Sequence, residues 1–148
     1  MIVSKDEAEI IYLNITPEQS SFSSSDANEL FKIINQHRTV ADLAAFKRSK
    51  ALDRLAEDYA REILRTRQFS HKDINGDLPN QRAEKNGIKV DYIGENLAIA
   101  PTIMSAHQGL MDSPTHRRNL ESAVFRQIGL AVVRIGLNQS LVVEEFAN

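Results

Sequence analysis

The strongest constraint on this chain is where its hydrophobic period changes. Over residues 49–65 the apolar side chains recur with a helical period. Leu52, Leu55, Ala56, Tyr59, Ile63 and Leu64 fall on one stripe, while Arg54, Glu57, Asp58, Arg61, Glu62 and Arg65 face water. Near the end the pattern is different. Two runs rich in β-branched residues, 128–135 and 141–146, are joined by Gly136-Leu137-Asn138-Gln139 and read as a β-hairpin. Helices come first and strands mostly late, which predicts an α+β architecture, an antiparallel sheet covered by helices, and argues against an alternating parallel βαβ fold. With 148 residues the chain buries one ordinary core.

The remaining elements follow from caps and breakers. Asp26 and Glu29 have the spacing of a capping box, opening a helix that buries Ala27, Leu30, Phe31 and Ile34 and ends near residue 38. A short helix is expected over residues 80–86, stopped by Gly87. Thr102 caps a helix with Ile103, Ala106, Leu110 and Met111 on its inner face, and Ser113-Pro114 breaks it before a last helical turn. At the other end, residues 8–15 are strand-like and are followed by Thr16-Pro17-Glu18-Gln19 and a serine cluster over 20–25. That cluster reads as a linker. The expected division is therefore an extension and serine-rich linker over 1–25 and a domain over 26–148, the strand-like run being an edge strand or, as preferred, the tail of an upstream domain.

Composition removes several functions. A formal charge of −2, without a basic cluster interleaved with aromatics, argues against nucleic acid. The absence of cysteine means that stability must come from burial and leaves the redox compartment open. The first residues lack the basic start and apolar run of a signal peptide, and no stretch has the length and apolarity of a transmembrane segment.

Three residues stand out for chemistry. His71 follows the long helix and His116 follows the Ser-Pro break, both at element ends. Between them, the alternation Ile93, Glu95, Leu97, Ile99 puts a carboxylate on an apolar strand face. Two neutral imidazoles and a carboxylate in one cleft make a divalent transition-metal site, or a tuned acid and base pair. On the residues alone, His71 closing a helix end and His116 capping beside Pro114 remain open, since their intervals match no local metal motif.

Phe69-Ser70-His71, Gly94-Glu95-Asn96-Leu97, Ser113-Pro114-Thr115-His116-Arg117-Arg118-Asn119-Leu120 and Phe125-Arg126-Gln127-Ile128-Gly129-Leu130 occur in this order. Together with Ile34-Asn35-Gln36-His37-Arg38 and Tyr59-Ala60 upstream, they resemble the successive signatures of bacterial SCP-type domains of the CAP superfamily (cysteine-rich secretory protein, antigen 5, pathogenesis-related 1) over roughly residues 27–148. The resemblance implies a three-layer α-β-α sandwich with a central, mainly antiparallel sheet, and a cleft with two histidines and two acidic residues. Matched position by position, the histidines fall on His71 and His116 and one acid on Glu95. Where eukaryotic members carry Trp-x-x-Glu, this chain reads Leu110-Met111-Asp112-Ser113, so Ser113 stands at the second acidic position with Asp112 beside it. The missing cysteines are usual in the bacterial branch.

The resemblance implies an extracellular or cell-envelope location and a binding or interaction module, whose partner is a protein, an envelope component or a lipid. His71, His116 and Glu95 are its candidate ligands for a divalent metal such as zinc. Asn96 and Asn119 are expected to brace the cleft by hydrogen bonds to loop backbone, and Arg117 to pair with a cleft carboxylate. A glutamate between two histidines can equally be a buried network that fixes one packing arrangement. Two further readings are a metal-dependent hydrolase using His71, Glu95 and His116, and an apolar-ligand carrier with a groove lined by Met104, Leu110 and Met111. A nucleophilic hydrolase is rejected, because no Gly-x-Ser-x-Gly elbow or cysteine occurs and no serine can be tied to a histidine from sequence. His37 and His107 carry no comparable case, His107 being placed at the margin of a packed face.

Overall fold

The computed structural model describes residues 1–3 and 10–148. Among them, β1 (Ile2–Val3), β2 (Ile11–Tyr12) and β3 (Ser20–Phe22) precede α1 (Ser24–Val40), β4 (Lys47–Arg48), α2 (Lys50–Thr66) and β5 (Gln68–Phe69). Then come α3 (Pro79–Lys85), β6 (Ile93–Ala100), α4 (Ile103–Asp112), α5 (Pro114–Leu120), β7 (Gln127–Ile135) and β8 (Gln139–Ala147). The main sheet has the order β1-β6-β8-β7-β3, with β4 adding to β7. All its pairings are antiparallel except β4 with β7.

The two faces of this sheet are covered separately, giving an α-β-α sandwich. Leu97, Ile99, Ala131, Val133, Leu141 and Val143 point toward the α2 stripe of Ala56, Tyr59, Ala60, Ile63 and Leu64. The alternate residues Ala98, Leu130, Val132, Val142 and Phe146 pack against α1, α4 and α5 through Leu30, Ile34, Leu110 and Leu120. Strand alternation thus sorts one hydrophobic sequence into two cores. Helix α2 lies so close to β7 that a Cβ on Gly129 would sit 2.0 Å from the Leu52 carbonyl carbon.

The hairpin, the α4 cap at Thr102 and the helix break at Ser113-Pro114 stand where the sequence puts them. Two local expectations are corrected. The N-cap of α1 is Ser23, whose hydroxyl accepts from the Asp26 amide, and Asp26 instead pairs with Arg134 at 2.7 Å. That helix ends at Val40, close to the expected end, and near it Arg38 is buried and donates to the carbonyls of Ala44, Leu120 and Ser122. The stretch read as a serine-rich linker forms β3, paired with residues 133–135 of β7, and the start of α1. Of the strand-like run over 8–15, residues 8 and 9 lie outside the described ones. Ile11 and Tyr12 pair with β5, and Leu13 and Ile15 are buried in the α2-side core.

Candidate functional site

The first residues of β6, Ile93, Gly94 and Glu95, line a cleft of about 740 Å3. Glu95 belongs to the sheet face toward α2 and α3, and Asn96 to the face toward α4 and α5, so the two layers meet at this point. His71 enters from the loop after β5 and His116 from the first turn of α5, and both line the cleft with Glu95 and Asn119. Leu78, Tyr92, Ile93 and Phe125 supply an apolar wall. Gly94 makes room for the last of these, since a Cβ there would come within 2.8 Å of the Phe125 ring.

On the α2 side Glu95 is the centre of a buried polar network. Glu95 Oε1 lies 2.8 Å from His71 Nδ1. Arg82 of α3 donates from Nη1 to Glu95 Oε2 at 2.9 Å, and from Nη2 to Glu95 Oε1 at 3.2 Å and to the His71 carbonyl at 2.8 Å. Burial alone would raise the Glu95 pKa, but the Arg82 charge and hydrogen bonding outweigh it and hold the carboxyl down at about 2. An ionised Glu95 only accepts, so His71 carries its proton on Nδ1. Behind it stands Glu145, fully buried and directly opposite Glu95 on β8. Burial first, and then the Glu95 charge, push the Glu145 carboxyl well above its usual range. Neither Glu145 oxygen meets a partner in hydrogen-bond geometry.

The other side is built differently. The Ser113 hydroxyl is 2.7 Å from His116 Nδ1, so a neutral group backs this imidazole where a carboxylate backs His71. Asn96 donates to Glu144 Oε2 at 2.9 Å and to the His116 carbonyl at 3.3 Å, and accepts from Asn119 at 2.9 Å. Glu144 is fully buried, and burial, partly offset by Asn96, raises its pKa from 4.5 to about 7.

The expected residues are thus not all brought together. Asp112 is exposed and accepts from Gln108, one helical step away from Ser113, whose hydroxyl meets His116. Arg117 is turned to Glu121 at 3.1 Å and reaches no cleft carboxylate. Asn96 and Asn119 hold helix and strand backbone, the His116 and Glu95 carbonyls, where loop backbone was expected. Leu110 and Met111 are core, Met104 is exposed, and none of the three lines the cleft. His107 is buried, edge-on to His37, which bonds Glu121 at 2.9 Å. The serine that sequence could not tie to a histidine is Ser113, but it sits behind His116 and not in the cleft lining.

Arg82, Glu144 and Glu145 were missed. Two consecutive acids inside an apolar strand put one carboxyl on each face, which is a readable signal once both faces are covered. Nothing local marks Arg82 beyond the need of a buried Glu95 for a cation. As for a metal, among the described residues no three His, Asp or Glu side chains converge as a ligand set. Metal ligation by Glu95 would compete with its bonds to His71 and Arg82. Besides Glu95, the cleft lining contains the imidazoles of His71, held by the Glu95 carboxylate at Nδ1, and of His116.

The cysteine-rich secretory protein (CAP) family model matches residues 31–146. No curated protein sequence matches the chain significantly. Among solved structures, an outer surface protein of Borrelia burgdorferi superposes with a TM-score of 0.80 at 21% identity, over 87% of this chain and 98% of that one. An extracellular SCP-domain protein of Bacillus anthracis gives 0.72 at 21% identity, over 83% of this chain and 40% of that one. Venom allergen-like protein 4 of Schistosoma mansoni gives 0.65 at 16% identity, covering 84% and 89%.

Proposed function

Since the chain belongs to the CAP, or cysteine-rich secretory protein, family, we propose that it is an extracellular or cell-envelope binding module whose ligand site is the cleft between His71 and His116. A divalent cation such as zinc is the ligand that this pair of imidazoles is suited to hold. The observation that carries the reading is the saturation of Glu95. Its two oxygens accept from His71 and Arg82, so its role is to hold His71 with Nδ1 protonated and Nε2 as the basic nitrogen.

The same saturation weighs against a hydrolase. A general base for water works best with a pKa near the operating pH, and Glu95 is held at about 2 by a buried guanidinium. The apolar wall of Leu78, Tyr92, Ile93 and Phe125 supports binding of a partner across the cleft mouth. The location rests on similarity to proteins described as outer-surface and extracellular. No helix among the described residues is long and apolar enough to cross a membrane.

Zinc titration by calorimetry on untagged protein tests the site. The expected result is one ion per chain with a Kd of about 1 μM or tighter, and none for the His71→Ala, His116→Ala variant. Equal binding by both proteins, or none by the wild type, removes the cation from the proposal.

A further inference from the structure

We propose that Tyr59 and Arg82 form a stacked clamp that positions His71, with Arg82 as the positioning residue on which the orientation of this imidazole depends. The assignment rests on the histidine cleft proposed above, but the structural test of it needs no metal.

Two helices from one layer converge under the Ser70-His71 segment. Tyr59 of α2 donates its hydroxyl to the Ser70 carbonyl, and Arg82 of α3 donates to the next carbonyl, that of His71, at 2.8 Å. The two side chains lie on each other, the guanidinium carbon 3.4 Å from the centre of the Tyr59 ring. Stacking of a desolvated guanidinium on a phenol ring is attractive and fixes the plane of the fork. Consecutive carbonyls of a loop are thus tied to one rigid, buried pair.

Arg82 also controls the far end of the imidazole. The Nη2 atom that binds the His71 carbonyl lies 3.2 Å from Glu95 Oε1, the same oxygen that faces His71 Nδ1 at 2.8 Å. One guanidinium nitrogen therefore sets both the main chain of His71 and the acceptor for its ring, while Nη1 holds the other carboxylate oxygen at 2.9 Å. A planar fork can make these three bonds at once, whereas an ammonium group brings the charge without the geometry. His116 is held from the opposite layer, by Ser113 and Asn96, and so serves as an internal reference.

The test compares the metal-free wild type with Arg82→Lys and Tyr59→Phe by long-range 15N imidazole NMR, followed by zinc calorimetry. The wild type should show His71 as a single Nδ1–H tautomer. In Arg82→Lys that signature should be lost or averaged, with the His116 resonances unmoved and zinc binding about 10- to 100-fold weaker. Tyr59→Phe keeps the stack and loses one bond, and should shift His71 in the same direction by less. An unchanged His71 spectrum in both variants overturns the clamp, and so does a shift that moves His71 and His116 together. If Arg82→Lys does not fold, Tyr59→Phe decides by the same criterion. A wild type that binds no zinc removes the cation reading and leaves the spectral result to decide the clamp.

Discussion

Glu95 and Glu145 face each other across neighbouring strands, paired in register and both pointing toward α2, with Arg82 2.9 Å from the first and 3.6 Å from the second. Two carboxylates opposite each other in a buried sheet cannot both ionise at one guanidinium, so the pair carries one charge and one proton. Glu95 takes the charge because His71 and both nitrogens of the fork reach it.

It follows that Glu145 is a reserve counter-ion. In Glu95→Gln the negative neighbour disappears, and Glu145 should ionise and take over Arg82. The single variant should therefore lose less than the about 3–5 kcal/mol of an orphaned buried charge. Glu145→Gln should be nearly silent, since it replaces a neutral acid. The double variant should lose more than the two singles added. A double-mutant cycle from urea unfolding measures this coupling, and strict additivity refutes the shared charge.

Asn96 is the corresponding hub on the other face. Replacing it by alanine strips a partner from Glu144, from Asn119 and from the His116 carbonyl. The expected cost is about 2–3 kcal/mol, read as a lower urea midpoint before any change at the cleft. A variant with wild-type stability would mean that water replaces the amide.

The layers, the hairpin and the α4 cap were legible because each rests on a local pattern, such as the α2 stripe or Thr102. Both cleft histidines and Glu95 were legible as candidates through motif order. The serine stretch was misread because β3 gains its meaning only from β7, a pairing more than 100 residues away. Arg82 was invisible for the same reason: a buried guanidinium shows in sequence as an ordinary charge on a short helix. Arg117 lies in the right motif but on the solvent side of α5.

Two glycines test the packing that frames the cleft. At Gly129 an added methyl meets helix backbone 2.0 Å away, which cannot move without lifting α2 from the sheet. Gly129→Ala should lose about 3 kcal/mol or more, or fail to fold. At Gly94 the methyl meets the Phe125 ring at 2.8 Å, a side chain that can swing. Gly94→Ala should fold with a smaller loss and remodel the cleft wall, seen as altered ring-proton shifts of Phe125. Equal losses at the two sites would contradict this contrast.

Stability should fall on both sides of mildly acidic pH. Glu144 is raised from 4.5 to about 7 by burial, so across that window the folded protein keeps a proton that the unfolded chain has released. Its contribution is fully present below pH 4.5 and is lost as pH rises through 7, a change of about 3 kcal/mol. Glu95 has the opposite sign. With its pKa lowered to about 2, its contribution is present above pH 4.5 and is lost as pH falls toward 2. Urea midpoints should therefore peak near pH 5 and decline by pH 8. Glu144→Gln keeps an acceptor for Asn96 and cannot ionise, so it should shrink the alkaline limb to the part owed to Glu145, whose carboxyl is also raised by burial, and leave the acid limb intact. If the alkaline limb is undiminished in that variant, the buried Glu144 is not its source, and Glu145 becomes the group to replace next.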